Sequence, residues 1–371
     1  MVKTSSTELS LILDACLGSQ NDHRTEVVNT GKLYDLARYH QVRPQLLSYL
    51  NERESMPEIQ AILREDCQQI AFSNMVAAKE LVDVSNLLKE HGVDSFAYKG
   101  SFWADWLYGN VSQREFGDID VLIPEFSFTK AYELLMTQGG YVTDEYRLYL
   151  LRNPKTRKRF FRTDYHIPMI NHPDKSVQSV VEAHWRIAYP RLAFDFPSDE
   201  WAKYKEEYAF LGSDISSFQR EYQLLLLLVH HGGKEEWRKL KYVADFAAYM
   251  RRFGSMTNWN TVAEIAKQKG IFSLFIQSVG LLRVLGMEWK EEWPVFETTL
   301  LPHSYLRNWE KRMKEPSNST WPYFKHGLSI HDGIKHKTRL ILGHFKYLTE
   351  FQLIWSKFRY KQRLAKLGTR Q

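Results

Sequence analysis

The chain has 371 residues, of which 44% are hydrophobic and 14% aromatic, so it is long enough for two or three folded domains and too apolar to be disordered. Fifty Lys and Arg against 44 Asp and Glu give a net charge of +6, which is compatible with polyanionic ligands but too small to establish nucleic-acid binding. Two cysteines, Cys16 and Cys67, without metal-ligand spacing, exclude a disulfide scaffold and a structural zinc site. The longest aliphatic run, 224–229, is too short to span a bilayer. We therefore expect a soluble cytoplasmic protein whose contact with membranes is at most peripheral.

Helical periodicity dominates the first part of the chain. Short helices are predicted up to residue 55, and Pro57 is well placed as the first residue of a long helix, which His91 and Gly92 end. The sequence thus predicts an N-terminal helical region over 1–55.

A small α/β region is predicted over 56–215. Its elements are a buried strand at 95–98, a short helix at 102–107, an apolar strand containing Asp118 and Asp120, weak strands at 157–161 and 166–170, and a strong strand at 179–187. In the last strand apolar and polar residues alternate, which predicts one face in the core and one face in a polar site.

The pattern becomes helical again over 216–371, with helices predicted at 222–231 and 235–251. From Lys335 to Gln371 there are ten Lys or Arg and a single acid, Glu350. This basic tail is interpreted either as a solvated helix whose aromatic residues pack on the helical domain, or as a docking element for an anionic membrane surface or RNA.

Two acids in an apolar strand need a partner, because burying an ionised carboxylate is costly unless it is paired or bound to metal. Asp118 and Asp120 are two positions apart, so a strand aims both into one pocket, and Glu182 on a later strand is the best candidate for a third acid. Such acids are typical ligands of two Mg²⁺ ions, with Mn²⁺ as the alternative, that orient a nucleoside triphosphate. We expect Asp118, Asp120 and Glu182 to be both the metal ligands and the catalytic residues.

A phosphate-binding turn is predicted just upstream. Gly100 and Ser101 lie where a strand passes into a helix, and exposed amides and a hydroxyl there can hold phosphates. Lys99 and Arg114 are candidates to neutralise phosphate charge, although Lys99 could equally extend into solvent and Arg114 could be a surface arginine.

Four further residues are accessory candidates: His184, His230, Trp237 and Asp245. His184 lies on the face of Glu182 and could orient that acid or deprotonate an acceptor, with a structural hydrogen bond as the other interpretation. The other three either contact the acceptor or tie consecutive helices together.

Taken together, these features resemble the nucleotidyltransferase superfamily, and more specifically a family of uncharacterised bacterial nucleotidyltransferases. The resemblance rests on five features in chain order: Lys99-Gly100, Arg114, Asp118-Ile119-Asp120, Glu182-Ala183-His184-Trp185, and His230-His231-Gly232 with Trp237, Leu240 and Asp245. It spans roughly residues 60 to 250 and implies an α+β fold, with a small mixed-sheet, polymerase-β-like core between N-terminal and C-terminal helical regions.

The leading functional hypothesis is metal-dependent transfer of a nucleotide from a nucleoside triphosphate to an unidentified acceptor, with release of pyrophosphate. A glycosyltransferase that uses the Asp-x-Asp pair is an alternative, but it leaves Gly100, Ser101 and Glu182 without roles. A non-catalytic member that binds nucleotide, RNA or a partner protein is the second alternative.

Overall fold

The computed structural model describes residues 6–19, 27–171, 179–296, 309–310, 320–351, 355–360 and 362. Four helices come first: α1 (Thr7–Leu17), α2 (Thr30–His40), α3 (Arg43–Glu52) and α4 (Pro57–Glu90). Side chains of Ser6 and Asn29 accept amide hydrogen bonds at the starts of α1 and α2, and Pro57 opens α4 as predicted. The first helix packs on the C-terminal helices, where Arg251 donates to the carbonyl oxygen of Leu17 at 2.7 Å.

The centre of the fold is a four-stranded mixed sheet in the order β1, β2, β4, β3. Its strands are β1 (Phe96–Tyr98), β2 (Ile119–Leu122), β3 (His166–Ile170) and β4 (Val180–His184). The central pair, β2 and β4, is parallel, and each edge strand is antiparallel to its neighbour. Trp185 follows β4 and is fully buried against Phe128 and Phe161.

The connections from β1 to β2 and from β2 to β3 contain four helices: α5 (Gly100–Tyr108), α6 (Phe128–Thr137), α7 (Glu145–Arg152) and α8 (Pro154–Thr163). The strand predicted at 157–161 is therefore wrong. Asn153 caps α8 and Pro154 is its first residue, so the start signal for a helix overrides the local apolar pattern.

A two-stranded hairpin, β5 (Lys205–Phe210) and β6 (Ser213–Phe218), packs on β1. The hydroxyl of Ser217 donates to the carbonyl oxygen of Ala97 at 2.7 Å, and Phe218 stacks on Phe96 with ring centroids 4.7 Å apart.

The remaining elements are helical: α9 (Arg220–Leu228), a π-helical turn (Val229–Lys234), α10 (Leu240–Phe253), α11 (Trp259–Gln268), α12 (Phe272–Val284), α13 (Thr320–Ile330) and α14 (Gly333–Leu348). The predicted helix at 222–231 changes to π-helical geometry at Val229, and the one predicted at 235–251 begins only at Leu240. The predicted α+β class, a small mixed sheet among helices, is confirmed. In the described part of the chain, no helix has both the length and the apolarity needed to cross a bilayer.

Candidate active site

Two acids meet at the centre of the sheet because β2 and β4 pair in parallel. Their register sets Asp120 directly beside Glu182 and Leu122 beside His184. One ligand atom each from Asp120, Glu182 and His184 lies within 4.8 Å of the other two. Carboxylate oxygens at this spacing can share a divalent cation.

His184 connects the two acids. Its Nε2 lies 2.9 Å from Oδ1 of Asp120 and 3.2 Å from Oε2 of Glu182, and the ring is fully buried. Both distances are those of hydrogen bonds, so Nε2 carries a proton and donates to the carboxylates. His184 therefore orients the acids through hydrogen bonds.

Lys99 also contacts Asp120, through a buried ion pair between Nζ and Oδ1. Burial opposes the charge of the lysine, but the Asp120 carboxylate outweighs it and raises the pKa of Lys99. Burial likewise opposes ionisation of Asp120, while Lys99 and the hydrogen bond from His184 lower the pKa of that carboxyl. The pocket is thus built to hold a positive charge against Asp120.

Asp118 lies just outside the strand, because β2 begins at Ile119. Its side chain is half-buried, and the negative charge of Asp120, followed by burial, raises its pKa. The negative charge of Asp120 thus reaches Asp118, but Asp118 is not part of the Asp120–Glu182–His184 cluster.

The predicted phosphate-binding turn starts helix α5. Gly100 has φ of +39°, and a Cβ at this position would lie 2.8 Å from the carbonyl oxygen of Asp118. Only glycine fits so close to the neighbouring backbone. The hydroxyl of Ser101, the next residue, is buried and has no hydrogen-bond partner among the described residues. An unsatisfied buried hydroxyl beside a helix start suits an anionic ligand.

Arg114 contacts Asp245 instead of lying free. Its Nε donates to both carboxylate oxygens of Asp245 at 3.1 and 3.0 Å, and its Nη1 lies 3.3 Å from the carbonyl oxygen of Gly100. Asp245 also accepts from Tyr108 and pairs with Nε2 of His231, each at 2.9 Å. Burial opposes ionisation of Asp245, but Arg114 and His231 lower its pKa to about 2. This network fixes α10 beside the turn at Gly100.

The other two accessory candidates lie around the same network. Nδ1 of His230 is 2.9 Å from Nδ1 of His231, and the indole of Trp237 lies against Gly232. His231 stacks on Tyr242 with ring centroids 4.7 Å apart.

Sequence reasoning missed three charged or titratable groups near the acids. His166 on β3 has its Nε2 3.5 Å from Oε1 of Glu182, and its ring stacks on that of His184 at 5.1 Å. The pKa of Lys234 is lowered by burial and by the neighbouring positive charge of Lys99. The pKa of Lys241 is lowered to about 8 by burial and by the neighbouring positive charge of Arg114. The available signal for His166 was its polar position in a predicted strand; the two lysines needed the tertiary fold.

Comparison with known proteins identifies the family of the chain. A family model described as "uncharacterised nucleotidyltransferase" matches residues 26–286. The chain belongs to this family. One solved structure, an antigenic nucleotidyltransferase-like protein from Paracoccidioides brasiliensis, is 12% identical and covers 59% of this chain and 94% of its own, with a TM-score of 0.31. Among proteins of curated function, none matches.

The family match contains every residue of the predicted site, from Lys99 to Asp245, and ends before α13 and α14. The family is described as a nucleotidyltransferase family, and the substrates of this class are nucleotides. The basic tail lies outside the matched residues.

Proposed function

We propose that this member of the family catalyses transfer of a nucleoside monophosphate from a nucleoside triphosphate to an acceptor nucleophile, with release of pyrophosphate. The observation that carries the proposal is the pairing of Asp120 with Glu182 on parallel strands, beside the Gly100-Ser101 turn. We assign this chemistry to the core at 56–215.

Asp118, Asp120 and Glu182 are the residues that would hold divalent metal, Mg²⁺ in preference and Mn²⁺ as the alternative. The donor set of Asp120 and Glu182 supports this fit, because clustered carboxylate oxygens are the ligands of hard cations. Asp118 is included because its carboxyl is close enough for the charge of Asp120 to raise its pKa. When bound, two such ions neutralise phosphate charge and stabilise attacking and leaving oxygens.

The chain's own groups bind and orient the substrate. Amides at the start of α5 and the free hydroxyl of Ser101 bind the departing phosphates, and Lys99 adds positive charge next to them. Arg114 acts through Asp245 and the Gly100 carbonyl oxygen, so we assign it to positioning of this turn.

The transfer step forms one bond and breaks one bond. An acceptor oxygen attacks the α-phosphorus, the bond from that phosphorus to the bridging oxygen breaks, and pyrophosphate leaves. The proton of an acceptor hydroxyl passes to water. Burial opposes ionisation of Glu182, but the hydrogen bonds from His166 and His184 lower its pKa well below its usual range, so this carboxylate stays ionised as a metal ligand.

The test is incubation of the full-length protein with each α-labelled nucleoside triphosphate, Mg²⁺ and a crude acceptor pool. We expect label in an acceptor fraction and equimolar pyrophosphate, both abolished by a chelator and by Asp120→Asn. Release of a labelled nucleoside diphosphate would contradict the assignment. Turnover of a sugar nucleotide would contradict it as well.

One observation favours the second candidate, a nucleotide-binding protein without turnover. Lys99 and His184 already compensate Asp120 within the folded chain. Tight triphosphate binding that is independent of divalent metal, together with no pyrophosphate release, would identify that function.

A further inference from the structure

A positively charged cleft lies between helix α14 and the loop that follows β4. Its volume is about 430 Å³, and none of the described residues that line it is acidic. Five cations line it: Arg162, Arg191, Lys335, Arg339 and Lys346. Clustered cations in a concave surface focus the electric field and attract anionic groups.

Three of these cations lack an acidic partner in the described part of the chain. Arg339 pairs with Asp195 at 2.9 Å and Arg162 with Glu350 at 3.2 Å. Arg191, Lys335 and Lys346 form no ion pair with any residue that the structure describes. The cleft therefore has unneutralised positive charge.

The walls of the cleft are held together by a close approach. A Cβ at Gly343 of α14 would lie 3.1 Å from Cα of Arg191, so the helix backbone rests on the loop. The guanidinium of Arg191 lies between two rings, 4.3 Å from the centroid of Tyr189 and 4.6 Å from that of Tyr347. These contacts hold α14 against the loop and so fix the position of the two walls.

A chain of ring contacts links the wall of the cleft to the acids. Tyr189 contacts Tyr165 edge-on at 4.4 Å between centroids, and Tyr165 contacts His184 in a tilted arrangement at 5.4 Å. Nζ of Lys234 lies 5.2 Å from the Tyr165 ring. The cleft is therefore close to Asp120 and Glu182, with a further cation beside the rings that link them.

We propose that this cleft binds the phosphate backbone of a single-stranded RNA and directs its 3′ end to the acids, so that the 3′ hydroxyl is the acceptor. This inference rests on the proposed function for the transfer step, but not for RNA binding. A chain of phosphates matches several cations in one cleft, and the exposed ring of Tyr347, which lines the cleft, can stack on a base.

A membrane surface fits these features less well. A bilayer is flat and cannot enter a concave cleft, and the exposed apolar residues Ile341, Phe345 and Leu348 of α14 do not line it. A membrane would contact those residues and leave the cleft cations unused.

The binding test uses the full-length protein and a fluorescent single-stranded RNA of about 16 nucleotides, followed by anisotropy between about 50 and 200 mM salt. The cleft variant is Lys335→Glu with Lys346→Glu, and the matched control is Lys325→Glu with Lys337→Glu, two exposed lysines outside the cleft. We expect the cleft pair to weaken binding by at least about tenfold and to reduce the salt slope by about 0.7 for each lost phosphate contact, and the control pair to have little effect.

Equal weakening in both pairs, or no RNA binding at low salt, would overturn the proposal. A third result would also overturn it: the cleft variant binds RNA as the wild type does but no longer sediments with phosphatidylserine vesicles. That result would assign the surface to a membrane. If the glutamate pair melts early, Lys335→Gln with Lys346→Gln introduces no repulsion and is expected to show the same reduction in slope.

RNA binding and catalysis are separated by Asp120→Asn. We expect that variant to bind RNA as the wild type does and to add no nucleotide, whereas the cleft variant retains binding of the triphosphate, measured in the absence of RNA. If the protein binds RNA through the cleft but shows no turnover, the RNA-binding proposal stands and the proposed catalytic function is wrong. Extension of an RNA with a 3′-deoxy end would contradict the assigned acceptor.

Discussion

At the level of single residues, Asp118 and Asp120 differ in what surrounds them. Asp120 is buried, paired with Lys99 and bonded to His184, whereas Asp118 is half-buried and repelled by Asp120. Two acids that are alike in sequence therefore have different consequences for stability.

We expect Asp120→Asn and Asp118→Asn both to abolish turnover, with opposite effects on stability. Asp120→Asn leaves the buried Lys99 without its counter-charge and lowers the free energy of unfolding by about 3 kcal/mol. Asp118→Asn relieves repulsion and keeps or slightly raises it. Thermal melts and turnover on the same samples decide, with the exposed Asp83→Asn as control. If either variant retained activity, the role of Asp118 and Asp120 would be structural and not catalytic.

Ser101→Ala separates ligand binding from stability. The hydroxyl is buried without a described partner, so its removal costs the fold less than about 0.5 kcal/mol, while KM for the triphosphate rises. Ser278→Ala is the control, because that buried hydroxyl donates to the carbonyl oxygen of Leu274 at 2.7 Å and its loss affects only stability. An unchanged KM in Ser101→Ala would remove this residue from the phosphate site.

At the level of elements, the junction of α2 and α10 depends on a neutral histidine. Nδ1 of His40 accepts the amide of Leu240 at 3.2 Å. Burial and then Lys239 lower the pKa of His40 from 6.5 to about 3, and burial lowers that of His231 to about 4. Neither ring takes up a proton at neutral pH in the folded protein.

Stability should therefore fall as pH decreases below 6.5, because the unfolded chain binds protons that the folded protein excludes until its lowered pKa values are reached. The slope is about 1.4 kcal/mol per pH unit for each such histidine. His40→Gln keeps an acceptor for Leu240 and is expected to flatten this loss in denaturation measured at pH about 7 and about 5. The partly exposed His91→Gln is the control, and an equal slope in wild type and His40→Gln would refute the role of His40.

The sequence was sufficient for the elements whose signals are local. Pro57 and His91 bound α4, and β3 runs over the predicted 166–170. The strand at 157–161 failed because the capping signal of Asn153-Pro154 was not weighed against a short apolar run. Strand alternation correctly places Glu182 and His184 on one face, but the sequence did not reveal that β2 begins after Asp118. The contact between Arg114 and Asp245 was not predictable, since it joins a loop to a helix that is distant in sequence.

At the level of the whole molecule, α14 combines core and surface roles. Leu340 is buried, Gly343 rests on the loop after β4, and Ile334, Phe345 and Leu348 are exposed. A chain that ends at residue 350 should therefore melt near the wild type. One that ends at residue 332 loses the Leu340 contact and should melt roughly 5 °C or more lower.

Both truncations should be measured by thermal melting and by pyrophosphate release. The longer chain keeps the cleft cations, so it should still consume triphosphate and bind RNA. Equal melting temperatures for the two truncations would show that α14 contributes no packing energy.

The parallel pairing of β2 with β4 also has a consequence for the order of folding. Asp120 and His184 are 64 positions apart in sequence, and helices α6, α7 and α8 lie between their strands. Closing so long a loop is slow compared with forming local helices, so the centre of the sheet should be completed late. During synthesis, the chain carries Asp118 and Asp120 out of the ribosome before Glu182 exists, and the acid cluster cannot act on any nucleotide until β4 has been made and inserted.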